Sequence, residues 1–240
     1  MTAITTETPL SAASASSPPP QTTLAQQART RGLLRWKQRN LILGGSLILL
    51  LVLIAVFAQF IAPYGPQDTD YTARLAAPGG AHLFGTDNLG RDIFSRVIWG
   101  SQIDLQVGIV SVLPPFIIGV ILGCLTGYYG GRLDTIVMRI SDIIQAFPFL
   151  ILIIAIVAVL GTGLTSIYLA VALVAWVSYA RLLRGEILVA RNQEYVDAAR
   201  SMGASDARVI GKHILPNVIT SSIVFATTDI VLYIVLAMSL

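Results

Sequence analysis

The chain has 240 residues, 55% of them hydrophobic and only 12% charged, about half the charged share of a soluble domain. A mean hydropathy of +0.74 excludes an ordinary water-soluble fold and points to an integral membrane protein. The net charge of +3 does not indicate nucleic acid, because Lys and Arg cluster beside apolar runs instead of forming a basic stripe interleaved with aromatics.

Residues 1–40 begin with a Ser-, Thr-, Ala-, Pro- and Gln-rich stretch that includes SAASASSPPPQTT. It is too polar to bury a core and is expected to be a disordered tail. A basic patch follows at Arg29, Arg31, Arg35, Lys37 and Arg39. Residues 41–62 are 22 without a charge, about 33 Å as a helix, enough for the ~30 Å hydrocarbon core. They suit an uncleaved first span better than a signal peptide, which is shorter and nearer the N-terminus.

Residues 63–103 are polar, with Pro, Gly and four acids, and read as an extracytoplasmic loop. Within GRDIFSRVIWG, helical spacing of Ile93, Phe94, Val97 and Ile98 predicts an amphipathic helix lying at the membrane surface. Arg91, Asp92 and Arg96 on it offer contacts to a solute-delivering protein, but Asp92 and Arg96 are an i,i+4 pair, and a solvated face is the plainer expectation. Trp36, Trp99 and Tyr64 suit interfacial anchors.

Residues 104–240 carry the remaining spans. Between Asp104 and Arg132 lie 27 uncharged residues, span two, which include the lone cysteine, Cys124, and Pro114-Pro115. The proline pair is expected to kink the helix or mark an unwound point, either a gating hinge or a static bend. Between Asp142 and Arg181 lie 38 uncharged residues, too many for one crossing, and Gly161-Thr162-Gly163 divides them into spans three and four. The fifth run, Asn217 to Leu240, is interrupted only by Asp229. With a single cysteine no internal disulfide forms, and His82 and His213 are too few for a histidine-rich metal site.

Placing the N-terminus inside puts thirteen of the sixteen Lys and Arg residues in cytoplasmic segments and leaves Arg74, Arg91 and Arg96 outside. The positive-inside rule favours this orientation for a multi-pass protein of the cell membrane. It also makes the loop over residues 184–216 cytoplasmic.

That loop contains EYVDAARSMGASDARVIGKHILP, residues 194–216. Tyr195, Ala198, Ala199 and Met202 are expected on one helical face, with Glu194, Asp197 and Arg200 on other sides. Gly203 suits a left-handed C-terminal cap, Ser205 or Asp206 an N-cap, and Leu215-Pro216 the end of the segment. The expected helix–turn–helix reads as a docking knob, with Ala199 against the partner, or as an amphipathic helix under the bilayer. Asp229 lies mid-span, where an ionised carboxylate costs at least about 2.5 kcal/mol, so it should face the bundle or a wet cavity. No other acid, His or Lys sits at that depth in the visible spans, which favours structural hydrogen bonding over a proton relay.

The segment resembles the E-A-A-x3-G-x9-I-x-L-P signature of the membrane subunits of binding-protein-dependent ATP-binding cassette importers. Asp197-Ala198-Ala199, Gly203 and Leu215-Pro216 are in register, with Asp197 in place of Glu and His213 in place of Ile. HLFGTDNLGRDIFSRVIWGS, residues 82–101, is similar to the N-terminal region of C-type dipeptide and oligopeptide permease subunits. Together the resemblances extend from about Arg35 to Leu240.

The resemblance implies an all-α polytopic helical bundle of the type I importer kind, with five spans visible and a sixth, usual in the family, missing after AMSL. It implies that Glu194, Tyr195, Asp197, Ala198, Ala199, Met202, Gly203, Leu215 and Pro216 couple the chain to an ATPase. The expected partners are a homologous B-type permease, two ATP-binding cassette subunits, an extracytoplasmic solute-binding protein, a peptide substrate and membrane lipid. No cofactor is expected on this chain; ATP and Mg belong to the ATPase subunits, in keeping with a sequence that has no G-x4-G-K-[ST] loop. A nickel, glutathione or other small-solute importer is the alternative. A secondary transporter would need inverted repeats or coupled intramembrane charges, and a membrane enzyme a catalytic constellation; neither is visible.

Overall fold

The computed structural model describes residues 42–239. The N-terminal tail, its basic patch and Trp36 lie outside the described residues. Residues 42–51 belong to a first compact unit, and the second begins at Val52. The described part of helix α1, Ile42–Val56, covers about 22 Å. The apolar run expected as one span is divided at Phe57 (φ −95, ψ 16), after which the short α2, Ala58–Ile61, buries Ala58.

Asp92 opens helix α3, Ile93–Tyr129, by accepting a hydrogen bond from the Ser95 backbone N–H at 2.7 Å. The helix has 37 residues, about 55 Å of length, well beyond one bilayer crossing. This corrects the expectation of a separate surface helix: Ile93–Ile103 is the first part of the same helix that spans, because continuing the helix keeps most of its backbone groups paired within itself. Pro114 and Pro115 lie inside α3 without interrupting it.

The polar loop before α3 is organised by one carboxylate. Asp87 accepts from the Leu89 and Arg91 backbone N–H groups (2.8 and 3.0 Å), from Arg91 Nε (2.8 Å) and from Arg96 Nη1 (2.6 Å). Arg96 therefore pairs with Asp87 and not with Asp92, which is buried and meets His82 Nδ1 at 3.0 Å. The expected solvated Asp92–Arg96 pair is corrected, since capping α3 takes Asp92 into the loop. Tyr64 joins the same cluster, its N–H donating to Ser95 Oγ (3.2 Å) and its C=O accepting from Trp99 Nε1 (3.2 Å).

Burial works against ionisation of Asp87, but the Arg91 and Leu89 N–H groups and the Arg91 guanidinium hold its carboxyl down to about 2. A depressed carboxyl contributes stability that is complete above its unfolded value, near 3.9, and is lost as pH falls toward the folded one. The loop is therefore expected to be unchanged from pH 7 to about pH 4 and to loosen between pH 4 and 2. Trp99 fluorescence, with Trp36 and Trp176 replaced by Phe, reads this; Asp87→Asn should shrink the acid transition, leaving the share of Asp92, whose carboxyl is held down against its burial by Ser95 and His82.

After Gly130 and Gly131, both at positive φ, come helix α4, Gly131–Gln145, and helix α5, Phe149–Leu160, bent 86° from each other. Pro148 supplies no N–H and disfavours helical geometry at Phe147, which breaks the run. Gly161 (φ +95) and Gly163 (φ +141) make the expected turn into helix α6, Leu164–Ala190. Helix α7, Glu194–Ser201, the short α8, Asp206–Arg208, a π-helical stretch, Val209–Ile214, and helix α9, Leu215–Ser239, complete the chain.

Among the described residues, three helical segments are long and apolar enough to cross a membrane, α3, α6 and the continuous Asp206–Ser239, or four with the bent α4–α5 pair. The expectation of five spans is loosened to this count: the described part of α1 falls below the length of a span and the third run is bent. Among the described residues there is no β-sheet, and the architecture is an all-α membrane bundle.

The bundle is organised on the α3–α6 contact, the most extensive between helices. A Cβ on Gly119 would lie 2.7 Å from Trp176 O, one on Gly123 2.9 Å from Ala180 O, and one on Gly127 3.0 Å from Arg184 O. Three glycines four residues apart thus let the backbones touch, and the ascending register shows that α3 and α6 run parallel. Ion pairs fasten α4 to α6: Arg184 forks onto Asp134 (2.5 and 2.6 Å) and Arg181 meets Asp142 (2.6 Å). The continuous helix Asp206–Ser239 runs antiparallel to α3, with Asp206 near Tyr128 at one end and Ile230 and Ile234 near Gly108 further along.

Candidate functional site

Two places concentrate the residues singled out by sequence. The first is the helix–turn–helix of α7 and α8. Gly203 has φ +81, Ala204 N–H donates to Ala199 O (3.1 Å), and Gly203 N–H donates to Arg200 O (2.9 Å). These two bonds form a Schellman closure, which places Gly203 in the expected left-handed cap. Ser205 is the N-cap of α8 but makes no side-chain cap bond, while Asp206 instead accepts from Tyr128 Oη at 2.6 Å.

The face pattern differs from expectation at one residue. Ala199 is 1% exposed and packs inward with Val196, Val209 and Ile214 against Leu183 and Ile187 of α6 and Val218 of α9. Tyr195, Ala198 and Met202 are exposed, Met202 at 79%. Ala199 is thus turned into this chain's own core and not onto the exposed face. A helix this short has too few residues for periodicity to separate the two faces, and Val196, missed in the sequence, shares the inner one. Glu194 and Asp197 are exposed; Asp197 pairs with Arg200 at 3.3 Å, and the Arg200 guanidinium lies 5.4 Å from the Tyr128 ring centroid.

Leu215 is partly buried beside the same cluster, and Pro216 is exposed. Pro216 does not end the segment as expected: the helix continues from Asp206 to Ser239. The π-helical turns, in which Leu215 N–H reaches back to Ile210 O, widen the register just before the residue that lacks a donor.

The second place is within the bundle. Asp229 is 6% exposed, and its Oδ2 accepts from Tyr179 Oη (2.7 Å) and Tyr233 Oη (3.0 Å). Both tyrosines were missed in the sequence, although Tyr233, four residues on along one helix, was within reach of a spacing argument. Asp229 opens on a recess of about 210 Å³, to which the α4–α5 break contributes Gln145, Phe147 and Phe149, α6 Ser178, and α9 Phe225 and Tyr233. Irregular backbone is tolerated within a membrane only where it is covered by protein or lines a cavity. Pro114 and Pro115 do not line this recess. Pro115 is buried in α3, whose next residue, Phe116, packs edge-on against Tyr179 at 5.6 Å.

Residues 119–240 match the family described as binding-protein-dependent transport system inner membrane component. Residues 36–78 match the N-terminal TM domain of oligopeptide transport permease C. The chain is similar to the glutathione transport system permease protein GsiD of Pectobacterium atrosepticum, 43% identical over 205 residues, covering 85% of this chain and 68% of the relative. It is also similar to GsiD of Shigella dysenteriae, 44% identical over 208 residues, 86% of this chain and 69% of the relative. The Escherichia coli O157:H7 protein of the same name is 43% identical, with the same coverage of 86% and 69%.

Proposed function

Since the chain belongs to the family of binding-protein-dependent transport system inner membrane components, as an ABC importer permease of the C type, we propose that it imports small peptides, glutathione included, as one of two permease subunits. The substrate reading is supported by the match to the oligopeptide permease C N-terminal region and by relatives named as glutathione permeases. In this reading a homologous B-type permease completes the pathway, a solute-binding protein delivers the peptide, and two ATPase subunits supply the energy.

The observation that carries the coupling is the knob itself. Helix α7 is locked to the bundle by Ala199, Val196 and the Schellman turn, yet it leaves Met202, Tyr195 and Ala198 uncovered. Covering a large apolar side chain contributes about 1.5 to 3 kcal/mol, so these three are the surface that an ATPase groove would bury. A rigid base with an exposed tip transmits displacement into α6 and α9, against which it packs.

The test is uptake by vesicles holding the two permeases and two ATPases with the binding protein outside. Glutathione or trialanine should accumulate with ATP hydrolysis, and uptake of nickel but neither peptide would overturn the substrate reading. Orientation is tested separately: cysteines at Gln67 and Ser205, both exposed, should label from opposite faces, with Ser205 on the cytoplasmic side. Labelling of both from one face would reverse the topology argued from the Lys and Arg distribution.

A further inference from the structure

We propose that the Asp229 recess is a binding site for the primary ammonium group of the transported solute, with Asp229 Oδ1 as its counter-ion; this rests on the peptide-import reading above. The two phenolic hydroxyls both donate to Oδ2. Oδ1 accepts no hydrogen bond from the described residues, and Asp229 is one of the residues that line the recess. The carboxylate is thus half satisfied: one oxygen fixes it in the bundle and the other has no partner among the described residues.

None of the residues lining the recess is basic. In a low-dielectric setting a carboxylate stabilised only by neutral donors retains an attractive field for a cation. The rest of the lining suits an organic ammonium. Phe147, Phe149, Phe225 and Tyr233 supply aromatic surface, which attracts ammonium groups through the ring quadrupole, and Gln145 and Ser178 supply further polar atoms. A volume of about 210 Å³ takes the amino end of a short peptide and not a whole extended one. A dehydrated divalent metal would want several carboxylate, imidazole or thiolate ligands, and no group of three such residues occurs among the described residues.

The geometry also assigns the α4–α5 break a purpose. Without it, Gln145, Phe147 and Phe149 would lie on one straight helix and could not wrap the mouth of the recess opposite α9. The tyrosine hydroxyls act as positioning groups, because both hold the carboxylate through Oδ2.

The experiment uses the permease pair with its ATPases in nanodiscs, without the binding protein, so that recognition outside the membrane does not contribute. Radiolabelled trialanine is titrated in the millimolar range, with unlabelled trialanine or N-acetyl-trialanine as competitor. The expected result is saturable binding, about tenfold weaker competition by the acetylated peptide, and about tenfold weaker binding in Asp229→Asn, the scale for loss of a charge-assisted contact. Asp229→Glu should recover most of the affinity.

Equal competition by both peptides, unchanged affinity in Asp229→Asn, or no saturable binding would overturn the proposal. The acetylation arm uses the unaltered protein and stands even if Asp229→Asn fails to assemble. Peptide uptake by the complete importer separates the two readings: uptake with no ammonium preference in the nanodiscs sinks this site alone, whereas absence of peptide uptake sinks the substrate assignment.

Discussion

Gly203→Val is expected to lower solute uptake about tenfold while leaving membrane insertion intact. Its φ of +81 lies where a β-branched residue suffers steric conflict of about 1 to 2 kcal/mol, and 1.4 kcal/mol is tenfold in an equilibrium. Nothing lies within 4 Å of a Cβ built there, so the cost arises from backbone strain and not from crowding. The chain relieves it by opening the Schellman bonds from Gly203 and Ala204, which frees the end of α7 and tilts Met202 and Tyr195. Gly203→Asn, which tolerates the left-handed region, should retain most of the uptake. Insertion, ATPase co-purification and uptake are measured separately for both variants. Equal uptake by the Val variant and its parent would remove the coupling role from this turn.

Gly123→Leu is expected to have the larger effect, with loss of assembled protein from the membrane. A Cβ at Gly123 would meet Ala180 O at 2.9 Å and Leu183 Cβ at 3.0 Å, and a backbone oxygen cannot rotate away. Overpacking costs about 1 to 3 kcal/mol where side chains can yield; here α3 must separate from α6, so about 3 kcal/mol or more is expected. The displaced α6 carries Tyr179, Arg184 and Leu183, which hold Asp229, α4 and α7 respectively. Gly100→Leu in the same helix is the control, because nothing lies within 4 Å of a Cβ there. Protease resistance and yield of assembled complex check the pair: Gly100→Leu should match the parent, and Gly123→Leu should not. Equal behaviour of the two variants would show that the glycine stripe does not set the helix spacing.

The glycine stripe was missed in the sequence, although Gly119, Gly123 and Gly127 recur every fourth position, because only the helix opposite gives it meaning. Asp229 was legible as a buried acid because a charge in an apolar run has few places to go. Its partners were not: Tyr179 lies fifty residues away in sequence. The charged cluster before α3 is a similar case. Asp92 and Arg96 looked like a pair by spacing, but Asp92 is spent on the start of α3 and on His82, and Arg96 on Asp87.

The sequence by itself determined the membrane class, the long apolar runs, the glycine turn at 161–163 and the left-handed cap at Gly203. Each is local: hydropathy integrates over one segment, and a positive φ selects glycine whatever surrounds it. Only the tertiary structure decided that Ala199 points inward, that α3 runs unbroken from the polar loop, that Pro148 folds the third run back by 86°, and that Asp229 lines the recess with one oxygen held by two tyrosines. The reason lies in the solvent. In water an apolar stripe marks the buried face of a helix, but in a bilayer the lipid-facing and bundle-facing sides are both apolar, so periodicity loses its power to orient a side chain. Direction is then set by close backbone approach, by pairing of the few polar groups and by breaks in the helices, all of which depend on residues far apart in the chain.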